Sequence, residues 1–487
     1  MEVYARWSNI NWILIIILIS CHPGYGQTGA PLPVYPIPSP QQLAWHRMEM
    51  NAFIHISINT FTDQEWGYGN EPAMVFNPTA ADPDQWAKAL SENHFKGIIL
   101  TAKHHDGFCL WPDENTEYSI RNSPYKDGKG DLVKETADAA AKYGMKFGIY
   151  LSPWDRNRGD YGSKSYIKYY RKQLKSLLTN YGPVFEMWFD GANGGDGYYG
   201  GKNTNVFVNK QKYYNWPKTI KTAEKLQPDI LFFSDAGPDI RWVGNEKGQA
   251  GITNWNTINN DTLYAGKEGI NAILASGSPD GKKWIPAEVD VSIRPGWFYH
   301  DKENSKVKSP EQLFDIYLTS VGRGAVLLLN VPPDKNGLIN DADLIALKGF
   351  SRLLKQRLGK NLAKNATVTA SNVRGGAMEC APERMLDDDM DSYWCTDDGV
   401  TSASFNISLD QNQLVKYVLI QEYIPLGQRV KSFEIEALDG DQWKVVGQGT
   451  TIGYKRIIEI PETITSKLRI WIKDAKACPL ISNVQVY

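Results

Sequence analysis

The chain is poor in the residues from which reactive metal and redox centres are built. Its 487 residues include five cysteines and seven histidines. The cysteines, Cys21, Cys109, Cys380, Cys395 and Cys478, form no C-x-x-C pair and fit no zinc-ligand spacing. Neither H-E-x-x-H nor H-x-H occurs, so metal hydrolase motifs are missing too. No G-x-S-x-G elbow follows a strand pattern, which argues against a serine hydrolase. No glycine-rich phosphate loop follows the first strand, which argues against a dinucleotide fold. Net charge is -2, the pI is about 6.4, and there is no long basic run. Nucleic acid is therefore excluded as a partner, because phosphate binding needs clustered Lys and Arg.

Long apolar runs are scarce as well. Trp12 to Ser20 is too short to span a membrane and is followed at once by Cys21, His22 and Pro23. Leu18-Ile19-Ser20-Cys21 has the form of a bacterial lipobox. Residues 1–21 are therefore expected to be a lipoprotein-type signal peptide, and residues 22–40 a Pro- and Gly-rich linker. The expected location is the bacterial periplasm or cell surface, with membrane contact only through a lipid on Cys21. In that oxidising setting, Cys380, Cys395 and Cys478 are open to disulfide pairing.

What the chain has in quantity is aromatic side chains, 16 Trp and 25 Tyr. Sugars offer C–H faces that pack on rings and hydroxyls that suit ring N–H and O–H groups. Large aromatic cores would need the same residues. From about residue 50 to 330, apolar runs alternate with helical patterns. Strand candidates are 52–58, 97–101, 146–151, 184–189, 230–233, 284–291 and 325–329. Between them, Asp82-Pro83, Asp131, Ser163 and Ser309-Pro310 read as helix caps. Repeated strand–helix units over this length predict an α/β fold, a (β/α)8-like barrel over residues 41–358. Past residue 359, patterns such as Phe405-Asn406-Ile407-Ser408-Leu409 alternate with period two, and glycines punctuate them. Residues 359–487 are thus expected to form an antiparallel β-sandwich.

Polar residues recur directly after the strand candidates: His55, Lys103 to Asp106, Ser152 to Asp155, Asp190 to Asn193, and Ser234-Asp235. In a parallel barrel these positions converge on one mouth. His104 and His105 are adjacent, and alternation along a strand would send one into the wall and the other into the mouth. That makes them poor joint ligands for one ion. Paired carboxylates fit better. Asp190 follows an aromatic strand, with Gly191 and Ala192 leaving room beside it, which suits a nucleophile at an anomeric carbon. Helix capping is its plainer role. A partner acid is offered by Asp235, Asp239, Glu246 and Glu288. Glu246 lies in a glycine-flanked loop and Glu288 near a strand end, and position alone does not separate these two.

The blocks FIHISINTFTDQEWG, ILTAKHHDGFCLWP, KFGIYLSPWDR, YGPVFEMWFDGANG, GPDIRWVGNE and PAEVDVSIRPGWFYH, in order over residues 40–355, resemble glycoside hydrolase family 29, the α-L-fucosidases. They look like the branch acting on α-1,3- and α-1,4-linked fucose in Lewis-type glycans. The resemblance implies a retaining exo-enzyme that takes fucosylated oligosaccharides or glycoconjugates, with Asp190 as nucleophile and Glu246 as acid/base. Glu288 would then be a supporting residue. It also implies a fucose pocket drawn from His55, Glu65, Trp66, His104, His105, Tyr150, Trp188 and Trp297, on a barrel that is often irregular. No metal or other catalytic cofactor is implied. The segment GGDGYYGGKNTNVFVNKQKYYNW, residues 194–216, is longer and richer in glycine than that branch suggests. The sandwich, with NLAKNATVTAS, DDDMDSYW and RIWIKDAKACPLISNVQVY, resembles discoidin-like (coagulation-factor type C) domains, many of which bind carbohydrate. Its acidic turns offer ligands for a structural Ca²⁺. Another retaining exo-glycosidase, or a glycan-binding lipoprotein without activity, are the competing readings.

Overall fold

The computed structural model describes residues 29–487. The signal peptide and the lipid-bearing Cys21 expected within residues 1–21 lie outside the described residues. Eight parallel strands close into a barrel in chain order: β1 (Met50–Ile54), β2 (Gly97–Lys103), β3 (Lys146–Leu151), β4 (Glu186–Trp188), β5 (Leu231–Ser234), β6 (Ile240–Trp242), β7 (Ala287–Ser292) and β8 (Val326–Asn330), with β8 paired back to β1. The barrel predicted from the strand–helix alternation is present.

The helices begin where the caps place them. Asp82 accepts from Gln85 N and precedes the helix Pro83–Glu92, and Asp131 accepts from Lys134 N before Leu132–Lys142. Ser163 caps Lys164–Asn180, and Ser309 with Gln312 forms a reciprocal capping box on Pro310–Thr319.

One barrel strand differs from expectation. Residues 237–248 read as a loop, but Ile240, Arg241 and Trp242 form β6. Only residues 235–239 join β5 to β6, so no helix covers that crossover. A three-residue strand with Arg at its centre has too little apolar signal to stand out. Arg241 is nevertheless fully buried. Its guanidinium donates to the carbonyls of Leu274 and Trp255 and to Asn254 Oδ1, which offsets the cost of burying the charge.

The bottom of the barrel is plugged by Trp45, from the short helix Pro40–His46. Above it, Phe53, Ile99, Tyr150, Trp188, Leu231, Phe233, Ile240, Val326 and Leu328 fill the interior. The Trp188 and Phe233 rings stack 4.0 Å apart. Leading into the plug, residues 29–34 of the expected linker lie along the second domain. Gly29 O accepts from Arg374, Leu32 O from Arg429, and Val34 N donates to Leu426 O.

The second domain is antiparallel, as its alternation predicts. Its two long strands, Ala403–Glu422 and Arg456–Ala475, pair throughout, and register shifts interrupt the ladder after Ser408 and after Val415. Such bulges bend a strand, and the bent sheet wraps an apolar core around Trp394, Phe405 and Ile470. Cys380, Cys395 and Cys478 gather beside Leu480 in this domain. Among the described residues, no group of three or more His, Cys, Asp or Glu is arranged to hold a metal ion. The acidic turn instead binds Ser392, whose hydroxyl donates to Asp387.

The sandwich grips the barrel through buried amides. Gln428 Oε1 accepts from Asn256 N and Nδ2, and its Nε2 donates to Asn254 O. Replacing Gln428 with Ala would strand these buried groups, at about 1–3 kcal/mol for each one left unpaired. Gln428→Ala is expected to lower the melting temperature of the whole chain by several degrees in calorimetry, whereas Gln428→Glu should retain the acceptor role and lose only the donor.

Candidate active site

The C-terminal ends of the barrel strands surround a cavity of about 350 Å³ lined by Phe53, His55, Trp66, His104, His105, Tyr150, Trp188, Asp190, Ala192, Glu246, Asp290 and Trp297. Nine of the residues singled out from the sequence meet there: His55, Trp66, His104, His105, Tyr150, Trp188, Asp190, Glu246 and Trp297. Glu65 and Glu288 are not among its lining residues.

The histidine pair corrects the alternation argument. Both His104 and His105 line the cavity, with ring centroids 4.1 Å apart. β2 ends at Lys103 after a register shift against β3, and the chain enters a turn at His105. Period-two alternation therefore stops just before the pair. It is Lys103 that points outward, to Asp155 at 3.2 Å and to Tyr166 and Gln173.

Hydrogen bonds fix how each ring presents itself. Asn330 Oδ1 lies 2.8 Å from His55 Nδ1, and Asn330 Nδ2 is engaged with Ser292 Oγ and Trp297 O. His55 Nδ1 therefore carries the hydrogen and Nε2 is left as an acceptor. Ser152 donates to Trp154 O, so its oxygen accepts from His105 Nδ1 at 2.8 Å, again leaving Nε2 as an acceptor. Asn59 Nδ2 approaches His104 Nδ1 at 3.5 Å, which gives that ring the opposite sense. Burial pushes His55 and His105 down to about 3 and His104 well below the usual imidazole range. All three are neutral near pH 7, and together they offer acceptors and a donor suited to hydroxyl groups.

Asp190 follows β4. Its Oδ1 accepts from Ala192 N at 2.7 Å and its Oδ2 from Tyr150 OH at 2.9 Å. Burial raises its pKa, and these two donors oppose the rise. Gly191 is required beside it, because a Cβ there would sit 2.3 Å from Asp235 Oδ2. Asp235 lies behind that glycine and accepts from Gly266 N, while Asp239 accepts from Phe232 N; neither lines the cavity. Glu246, on the loop after β6, receives the Trp297 indole N–H at 3.3 Å. Its pKa is raised, first by burial and then by the charges of Asp190 and Glu65.

Glu288 lies deeper, fully buried inside the barrel. Its Oε1 accepts from Trp188 Nε1 at 2.9 Å, and Glu186 Oε2 accepts from Trp45 Nε1 at 2.9 Å. Among the described residues, the remaining oxygens, Glu186 Oε1 and Glu288 Oε2, have no donor partner, and the two carboxyls act on each other. Burial, followed for Glu288 by the charge of its neighbour, raises both. One proton between the two carboxyls satisfies both oxygens. Asp290, two residues beyond Glu288, went unnoticed in the sequence. It faces the same way one layer nearer the mouth, where it accepts from Trp242 Nε1 at 2.7 Å and lines the cavity beside Glu246. The signal was the alternation of β7 itself, in which residues two apart share a face.

Residues 33–360 match the Alpha-L-fucosidase family model and residues 367–483 the F5/8 type C domain. Alpha-L-fucosidase 1 of Arabidopsis thaliana is 40% identical over 464 residues, 94% of this chain and 88% of the relative. A relative in rice, Oryza sativa subsp. japonica, is 44% identical over 463 residues, 94% of this chain and 86% of its own length. A Ruminococcus gnavus glycoside hydrolase 29 fucosidase in complex with fucose superimposes with a TM-score of 0.85 at 34% identity, covering 95% of this chain and 97% of that one. A glycoside hydrolase 29 member from a rumen bacterium gives 0.84 at 43% identity, covering 94% and 78%. The plant relatives overturn the expected bacterial periplasmic lipoprotein. Their match runs along nearly the whole chain, plant cells have no periplasm, and that expectation rested on the short apolar run Trp12 to Ser20 and the four residues Leu18 to Cys21.

The shared proton under the cavity makes a distinct prediction. The folded pair keeps a proton that the unfolded carboxyls release near pH ~4.5, so this pair erodes stability as pH rises above that value. Glu288→Gln can still accept from Trp188 and donate to Glu186. It is expected to fold normally and to flatten the decline in melting temperature between pH 5 and 8. Glu288→Ala leaves the buried indole N–H unpaired and should cost about 1–3 kcal/mol.

Proposed function

Because the chain belongs to the α-L-fucosidase family of glycoside hydrolases, we propose that it releases terminal L-fucose with retention of configuration, Asp190 acting as nucleophile and Glu246 as acid/base. The observation that carries this reading is the cavity itself. Asp190 and Glu246, with Asp290 beside the latter, open onto one cavity of about 350 Å³ walled by neutral imidazoles and aromatic rings.

In the first step Asp190 attacks the anomeric carbon. The Tyr150 hydroxyl and Ala192 N–H hold its two oxygens and aim it. Glu246 gives its proton to the departing glycosidic oxygen. Its raised pKa keeps a protonated fraction present, as a general acid needs. Departure leaves a fucosyl ester on Asp190. In the second step the now ionised Glu246 takes a proton from water, which attacks the same carbon and frees Asp190. Retention by this route asks for carboxyls about 5–5.5 Å apart. His55 and His105 accept from sugar hydroxyls and His104 donates to one, while Trp66, Tyr150, Trp188 and Trp297 cover the apolar face of the ring. The natural substrates in this reading are fucosylated oligosaccharides or glycoconjugates.

For linkage, the favoured substrates are α-1,3- and α-1,4-fucosides of Lewis type. The support is the resemblance of the sequence blocks, GPDIRWVGNE among them, to that branch. The hairpin of Gly194–Gly197 with Thr204–Phe207, in the segment that is longer than the branch suggests, follows Asp190 and is the part of the chain that departs from it.

Asp190→Ala is expected to remove fucose release from an aryl fucoside by several orders of magnitude; unchanged release would overturn the nucleophile. Glu246→Ala should lose roughly 10²–10⁴-fold on poor leaving groups, with azide restoring turnover as a fucosyl azide of retained configuration. In a separate assay, a Lewis-type trisaccharide should be hydrolysed at least tenfold faster than an α-1,2-fucosylated disaccharide. The reverse order would sink the linkage assignment and leave the mechanism standing.

A further inference from the structure

The carboxylate of Glu65, expected from the sequence to be a sugar contact, is held by several groups of the protein. Its Oε2 accepts from Trp297 N at 2.8 Å and its Oε1 from Phe298 N at 3.3 Å. Gly296 makes room for this approach, since a Cβ there would lie 2.4 Å from Glu65 Oε1. Behind Glu65 stands His300. Its Nε2 lies 2.7 Å from Glu65 Oε1 and its Nδ1 2.5 Å from Asp63 Oδ1. A neutral imidazole has one N–H, whereas two carboxylate partners require two donors. His300 is therefore an imidazolium, nearly buried, holding two carboxylates at once.

These contacts end on the acid/base. Trp297 is held by Glu65 at its main-chain nitrogen, by Asn330 at its carbonyl, and through Arg294 three residues earlier. Arg294 makes a buried two-pronged pair with Asp343 at 2.7–3.1 Å. The indole of Trp297 then donates to Glu246 Oε2. Glu246 sits on the loop after β6, which Asn271 Nδ2 ties at Gly244 O and Thr319 Oγ1 ties at Gly248 O. Among the described residues, the hydrogen bonds of Asn245 and Lys247 beside it stay within that loop, to Gln249 O and to Asn245 Oδ1.

We propose that His300 is a positioning residue for Glu246: it fixes Glu65, Glu65 fixes the Trp297 main chain, and the Trp297 indole sets the acid/base carboxyl over Asp190. The inference rests on the assignment of Glu246 as acid/base. Charge-assisted hydrogen bonds are the strong ones, so the chain of contacts is stiffest at its far end and reaches the reacting group through one neutral bond.

The consequence is selective. A displaced proton donor matters most when the leaving oxygen is basic. It matters little when the aglycone departs unaided. Glu246 faces Trp297, Asp190, Glu65 and Asp290; His300 faces Asp63 and Glu65, with Lys302 and Lys335 beyond Asp63. Removing the imidazolium leaves Glu65 and Asp63 less neutralised, and loosening Trp297 withdraws a donor from the Glu246 carboxylate. Both changes disfavour ionised Glu246, so the alkaline limb of the rate profile should move to higher pH.

The test measures kcat/KM for His300→Gln on aryl fucosides of graded leaving-group pKa, together with the pH profile on one poor substrate. Expected are a loss of roughly 10–100-fold on the poorest leaving groups, little change on the best, and the alkaline shift. Uniform loss across the series with an unmoved pH profile would mean a merely structural histidine and would overturn the proposal, as would wild-type behaviour. If His300→Gln does not fold, Trp297→Phe removes the indole N–H and keeps a smaller aromatic ring against the sugar; beyond any uniform loss from the smaller ring, it should give the same leaving-group slope and pH shift, and absence of that slope and shift also overturns the proposal. Glu246→Ala on the same series separates the two claims. No leaving-group dependence in that variant defeats the acid/base assignment, while dependence there without it in His300→Gln defeats this inference alone.

Discussion

The hydrogen bond from the Trp188 indole to Glu288 holds the centre of this molecule. A parallel barrel must fill its interior, and here the filling is partly polar. Trp188 is anchored below by a carboxyl and packed against Tyr150 and Phe233 on its faces. It is also the last residue of β4, two positions before Asp190. Any tilt of the ring would move the floor of the cavity and the strand end that carries Asp190. Burying two carboxyls for this purpose is affordable only because one proton and two indoles satisfy them.

The same burial sets the charge state of the mouth. Low-dielectric surroundings push imidazoles toward neutral and carboxyls toward protonated. Three histidines within one cavity would repel one another if charged, and neutrality lets His104 stand 4.1 Å from His105 and 5.8 Å from His55. His300 is the contrast. Lying between Asp63 and Glu65, it has its pKa raised even though burial opposes the rise. Two populations of histidine thus coexist a few residues from the same site, sorted by whether carboxylates face them.

Much of this was legible in the chain. Caps at Asp82, Asp131, Ser163 and Ser309 gave helix starts, and polar residues after apolar runs located the mouth. Most of the cavity followed from that rule and from the resemblance of the long blocks. What escaped did so for physical reasons. β6 is three residues long, and its Arg is buried against carbonyls that no local pattern reveals. His104 and His105 escaped the alternation rule because the strand ends one residue before them. Glu65's hold on the loop from Gly296 to Phe298 escaped because it is a contact across more than 230 residues of sequence, in which two backbone N–H groups meet one carboxylate. Asp290 was overlooked beside Glu288, although period two alone would have found it.

The grip of the sandwich reaches farther than its area suggests. Gln428 and Thr451 hold Asn254 and Asn256, Asn254 and Trp255 hold Arg241, and Arg241 is the centre of the strand that leads to Glu246. The carbohydrate-module appearance of the sandwich therefore conceals a mechanical share in the barrel. A proteolytic nick or gene fusion at the 360–366 junction would cut no secondary element, yet an exchanged module would arrive without the amides that brace β6. Barrel and sandwich are wired here as one machine.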